Sequence, residues 1–175
     1  GDWGDEADYD VPMDNNAGDD NSWKVRRAAL RVLRAFISSQ SDHFTSRATA
    51  LLQSLTDRFK ERDENAKVEV LRAACALFEE SCRHLTDKSR LQGAFDQAIV
   101  RQLPAIVENC HLQWKIGTLP TQRALLVLLK QLIVSMYSLI ATNLLPAIVQ
   151  IALDGASSSD AAVRTDCLSA LLLLL

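Results

Sequence analysis

Apolar residues recur at helical spacing from residue 22 onward, in stretches several turns long that are separated by short polar breaks. The first stretch shows the pattern well. Val25, Ala28, Ala29, Val32, Leu33 and Phe36 follow the i, i+3, i+4, i+7, i+8, i+11 spacing of one buried stripe, and Asn21 or Ser22 supplies an N-cap. Read the same way, the chain predicts seven helices: about 22–37, 43–59, 66–83, 91–110, 119–136, 139–153 and 160–175. Ala48, Leu51, Leu52, Leu55 and Phe59 form the inward side of the second, and Val68, Leu71, Ala74, Cys75, Phe78 and Cys82 that of the third. Residues 38–42, 61–65 and 87–90 have the polar composition of turns, and 111–118 reads as a linker.

The helices repeat. Leu103-Pro104-Ala105-Ile106-Val107 returns as Leu145-Pro146-Ala147-Ile148-Val149, 42 residues later. Alternate helices aligned on Val25, Val68, Leu119 and Val163 are separated by 43, 51 and 44 residues. A repeat of that length built from two helices is the signature of a HEAT or armadillo solenoid, whose units stack because none can bury its apolar face alone. The fold class read here is therefore all-α, a solenoid of HEAT repeats with about seven helices in three to four pairs. The longer middle spacing assigns an insertion of about eight residues to 87–90 and 111–118, the flanks of the fourth helix. Pro104 and Pro146 are expected to kink two successive helices at matching points.

Composition supports this class and divides the chain. Hydrophobic residues make up 48% of 175, and glycine (6) and proline (4) are scarce. Eight of the 22 acids lie between Gly1 and Trp23, where there is no Lys or Arg; the other 14 stand against all 19 bases. Residues 1–21 thus read as an acidic, flexible leader or loop with Trp3, Tyr9 and Met13 as apolar anchors, and 22–175 as the repeat segment. The chain opens on the second helix of a unit and ends in five leucines, so a segment of a longer solenoid is expected. The four cysteines show no framework or C-x-x-C spacing, which points to free thiols and a cytoplasmic or nuclear setting. Lys130 and Gln131 interrupt the longest apolar run, which reads as buried helix and not as a membrane span.

Candidate chemistry is sparse. His43, His84 and His111 fall in different units, the glycines are scattered, and Cys110-His111 sits at a helix end where the two side chains diverge, so no catalytic, cofactor or metal site is assembled. Packing between units is the expected role of Trp23 and Trp114, and Cys75, Cys82 and Cys167 belong with the core. The candidate functional surface is the basic face of the first helix, Lys24, Arg27, Arg31 and Arg34. Its alternatives are a solvated face, an acidic protein partner, or the chain's own leader folding back. Nucleic acid fits poorly, because no aromatic residues interleave with these bases and the net charge is −3.

Two strings carry a more specific resemblance. Asp20-Asn21-Ser22-Trp23-Lys24-Val25-Arg26-Arg27-Ala28-Ala29, preceded by acids, and Arg58-Phe59-Lys60-Glu61-Arg62-Asp63-Glu64-Asn65-Ala66-Lys67 resemble a HEAT-repeat family, the cullin-associated, neddylation-dissociated proteins. The LPAIV helices and Ala156-Ser157-Ser158-Ser159 fit more loosely, and the connection after the third helix is shorter. The resemblance implies a superhelix that wraps cullin–RING complexes lacking the ubiquitin-like modifier and promotes exchange of substrate-receptor modules, without catalysis, cofactor, nucleic acid or membrane. An importin-type transport receptor segment and the helical regulatory domain of a larger enzyme are the alternative readings.

Overall fold

The computed structural model describes residues 21–39, 47–85, 94–137 and 140–174. Among them are seven α-helices: α1 Ser22–Ser39, α2 Ala48–Asp57, α3 Glu64–Leu85, α4 Ala94–Ile116, α5 Leu119–Met136, α6 Leu145–Ala156 and α7 Ala161–Leu172. A single 3-10 turn, Arg58–Lys60, follows α2. The helices form two layers. α1, α3, α5 and α7 pack in succession in the first, and α2, α4 and α6 in the second. The pairs α2/α3, α4/α5 and α6/α7 each join the layers, so the chain is a HEAT-repeat α-solenoid, with α1 as the first helix of the first layer.

One apolar core runs the length of the stack. α3 lies at its densest part: Ala66, Val70, Leu71, Ala73, Ala74, Leu77 and Phe78 are almost fully buried, enclosed by α1, α2 and α5. α5 contributes Leu125, Leu126, Leu128, Leu129, Leu132 and Ile133, and the second layer answers with Leu52, Leu55, Ile99, Leu103 and Ile106. Burying one such side chain stabilises by roughly 1.5–3 kcal/mol, and most of these contacts cross between helices.

The helix starts follow local chemistry. Asp63 accepts from the Ala66 amide at 2.9 Å and Asp160 from the Val163 amide at 2.9 Å, so two first-layer helices open on aspartate caps. α5 and α6 instead open with a proline in the first turn, where a missing N–H costs nothing. This corrects the expected kink at Pro146: the residue starts α6 and does not interrupt it, and residues 142–144 are turn. Pro104 is inside α4, where the carbonyl of Val100 loses its usual helical donor.

Residues 111–118 are a second correction. α4 continues through His111 to Ile116, so much of the extra length between Val68 and Leu119 is helix and not linker. Leu112 and Ile116 are exposed while Gln113 is buried beside Trp114, so the apolar period breaks although the helix does not. The segment 87–90 and the shorter connection after the third helix lie outside the described residues.

The largest correction concerns α1. Val25 and Val32 are 71% and 69% exposed and Ala28, Ala29 and Phe36 are also exposed, whereas Leu30 and Ile37 are buried and Leu33 half-buried. α1 carries two apolar stripes, and periodicity alone cannot choose between them. The packed stripe holds Leu30, Leu33 and Ile37, set against α3.

Between units the packing is tight enough to require glycine. A Cβ at Gly155 of α6 would overlap Cys167 Sγ of α7 and stand 2.9 Å from Trp114 Cζ2 of α4. Trp114 therefore joins two units, as the sequence suggests. Gly155→Ala is expected to destabilise the fold by about 1–3 kcal/mol through overpacking, read as a lower urea midpoint with native helical circular dichroism retained.

Candidate partner-binding face

Four side chains of α1 were singled out by sequence, and the structure divides them. Arg31 Nε lies 3.3 Å from Glu69 Oε1 on α3. Arg34 Nη1 is 3.3 Å from Oε2 of the same carboxylate, close enough for charge attraction but not aligned as a hydrogen bond. Arg72, one turn along α3, donates to Oε1 at 3.0 Å. Glu69 is 2% exposed beneath these three guanidinium groups. Lys24 and Arg27 have no carboxylate partner among the described residues: Lys24 Nζ stands 5.6 Å from the Trp23 ring centroid, and Arg27 Nε is buried without a hydrogen bond.

The face is thus partly an intramolecular ion cluster, and sequence reasoning missed its acid. It missed three further ties as well. Arg26 grips Glu61 with two parallel bonds of 3.1 Å, Arg123 of α5 donates to Asp160 at 2.8 Å, and Lys130 of α5 donates to Asp166 of α7 at 2.7 Å. A signal existed. These pairs, with Arg31–Glu69, join residues 35 to 38 positions apart, with the base first each time. That is one short repeat.

A fourth tie uses a carboxylate as a borrowed cap. Glu64, the first residue of α3, accepts hydrogen bonds from the Thr118 and Thr121 hydroxyls and from the Thr121 amide at the start of α5. Partial burial opposes its charged form, but these bonds and the Lys67 charge outweigh it and hold the carboxyl below its usual range. For Glu61, burial is likewise outweighed by the Arg26 bonds and the Asp63 and Arg62 amides. Asp160 is lowered mainly by the Val163 amide, then by Arg123.

Beside the cluster, α3 and α5 bound an open groove of about 310 Å³, lined by Val68, Arg72, Leu119, Pro120, Arg123 and Val127. Its lining comes from the first layer alone. The wall is apolar with an arginine on either side, chemistry suited to a protein surface carrying apolar and acidic groups.

The described thiols are not poised as nucleophiles. Burial pushes the Cys110 thiol up to about 12; burial and Glu79 raise Cys75 to about 11; burial and Asp166 raise Cys167 to about 11, with Lys130 opposing. Among the described residues no three His, Cys, Asp or Glu converge as a metal site, and no helix is long and apolar enough to cross a membrane. His111 is half-buried at the α4 end, and the side chains of His43, His84 and Cys82 lie outside the described residues.

No family model matches the chain. Individual relatives do. It is 32% identical over 124 residues, 67% of its length, to the fruit-fly (Drosophila melanogaster) Cullin-associated NEDD8-dissociated protein 1, and 28% identical over 145 residues, 81% of its length, to the Arabidopsis thaliana protein of that name. This chain belongs to the cullin-associated NEDD8-dissociated family. The Mus musculus Cullin-associated NEDD8-dissociated protein 2 adds 46% identity over 59 residues, 34% of the chain. The matches cover 10%, 12% and 5% of these relatives, so the chain spans about a tenth or less of their length.

Two predictions test the electrostatics of this family segment. Arg31→Glu sets a second carboxylate against Glu69 and should cost roughly 1–2 kcal/mol, whereas Lys24→Glu should stay within about 0.5 kcal/mol; parallel urea titrations compare them. Glu61 and Glu64 have folded values below their ordinary 4.5, so their contribution is full above that pH and is lost as pH falls through the lower folded values. Glu64→Gln should therefore be less stable than the parent at pH 7, by on the order of 1 kcal/mol, with the gap closing at strongly acid pH.

Proposed function

We propose that this chain is a non-catalytic scaffold segment that binds unmodified cullin–RING complexes and takes part in the assembly or exchange of ubiquitin-ligase substrate-receptor modules. The observation that carries the reading is the relationship to proteins named for cullin association, which extends over 67% and 81% of the chain. The architecture supports it. A stacked helical solenoid presents a long continuous surface made of many units, and its first layer offers an apolar groove flanked by Arg72 and Arg123. Protein partners fit that surface; nucleic acid and membrane are not part of the proposal. Cytoplasm and nucleus are the compartments in which this partnership would operate.

Association is expected to be distributed over many contacts, with the groove as one of them. Val127 is 48% exposed on its wall, so Val127→Asp should leave folding within about 0.5 kcal/mol while weakening the interaction. The protein carrying this chain, tagged and recovered from lysate, should bring down a cullin and its RING subunit, preferentially the form without the ubiquitin-like modifier, and Val127→Asp should recover several-fold less. Recovery of a GTP-loaded Ran-type GTPase without any cullin would overturn the proposal in favour of a transport receptor.

A further inference from the structure

The positive charge on α1 and α3 is out of balance with the acids around it. Arg31, Arg34 and Arg72 share the single carboxylate of Glu69, and Lys24 and Arg27 add two cations without a carboxylate partner among the described residues. The first turn of α1 has no acid, and Lys24, Arg26 and Arg27 crowd the end of the helix that already carries the positive pole of the helix dipole. Among the described residues only Arg26 is neutralised there, by Glu61. Five cations facing one acid lose free energy through mutual repulsion and recover it when an anionic segment approaches.

The same chain contains such a segment. Residues 2–20 hold Asp2, Asp5, Glu6, Asp8, Asp10, Asp14, Asp19 and Asp20 with no Lys or Arg, together with Trp3, Tyr9 and Met13. They join α1 directly at Asn21. From Asn21 to Arg34 the helix rises about 20 Å at 1.5 Å per residue, and an extended chain covers that in about six residues. Asp19 and Asp20 are thus within reach of Lys24 and Arg27, and Asp14 of Arg31 and Arg34, which leaves the acids before them for Arg72. Covalent attachment places the segment at millimolar effective concentration, so a weak charge attraction suffices.

We propose that the surplus-positive surface of α1 and α3 is a docking site for an acidic peptide segment, and that residues 2–20 of this chain are its occupant. The inference rests on charge and chain geometry and is independent of which partner binds.

Paramagnetic relaxation tests it on the whole chain. A nitroxide on Gly4→Cys is compared with the parent chain treated identically, and amide broadening is followed at Arg27 through Arg34 and at Arg72. The expected result is broadening at these positions that falls several-fold in ~1 M salt, where the Debye length is about 3 Å, and falls similarly in Lys24→Gln/Arg27→Gln. Broadening confined to residues next to Asn21, or broadening at Arg31 and Arg72 that neither salt nor the double substitution reduces, would overturn the proposal.

Discussion

Every helix in this chain depends on a neighbour to cover its apolar side. α3 makes the constraint plain: Val70, Leu71, Ala73, Ala74, Leu77 and Phe78 point in several directions around the helix, and only α1, α2 and α5 together enclose them. No pair of helices could do so alone, because a two-helix unit has one interior and α3 needs three partners. Stability therefore accumulates along the stack, each unit contributing its own packing and an interface with the next. α1 shows the converse. It has two apolar stripes, one covered by α3 and the other exposed in the described structure.

Polar ties reinforce this arrangement at the ends of the first-layer helices. Glu64 caps a helix one unit away, Arg26 and Arg123 clamp the turns that open the next first-layer helix, and Lys130–Asp166 lies farther along. Individually such exposed or half-exposed contacts add little. Their value here is positional, since each ties a helix to its successor at a fixed height and so fixes how the units align. The second layer has its own version: Gln102 donates to Gln53 at 2.8 Å and accepts from Thr56 at 3.0 Å. A surface built from several units keeps its shape only if the units keep their register, which is how these contacts would bear on the proposed partner recognition.

Much of the architecture was legible in the residues. Seven helices, their pairing and a repeat near 43 residues follow from apolar spacing and from the doubled Leu-Pro-Ala-Ile-Val string, because a buried stripe leaves a periodic mark whichever neighbour covers it. Orientation was not legible where a helix had two candidate stripes: in α1 the choice of Leu30 and Ile37 over Val25 and Val32 was made by α3, not by α1 itself. Helix ends failed where exposed apolar residues and a buried glutamine break the apolar period, as at Leu112, Gln113 and Ile116, and where a proline can either interrupt or begin a helix, as at Pro146. The basic face was visible as spacing, but Glu69, 38 residues beyond Arg31, was not, since a one-repeat separation has meaning only after the stack is known. Family strings such as Trp23-Lys24-Val25-Arg26-Arg27 identified relatives although, among the described residues, Arg26 alone of that string is tied to an acid, Glu61.

Stability that accumulates by neighbours leaves a mark in the native state. Hydrogen exchange of the folded chain, resolved by residue, measures it most directly. If each helix is held by those beside it, the amides of α3 and α5 exchange slowest, with α1 and α7 opening at lower free energy. Equal protection of all seven helices, lost together in one global unfolding event, would contradict the account.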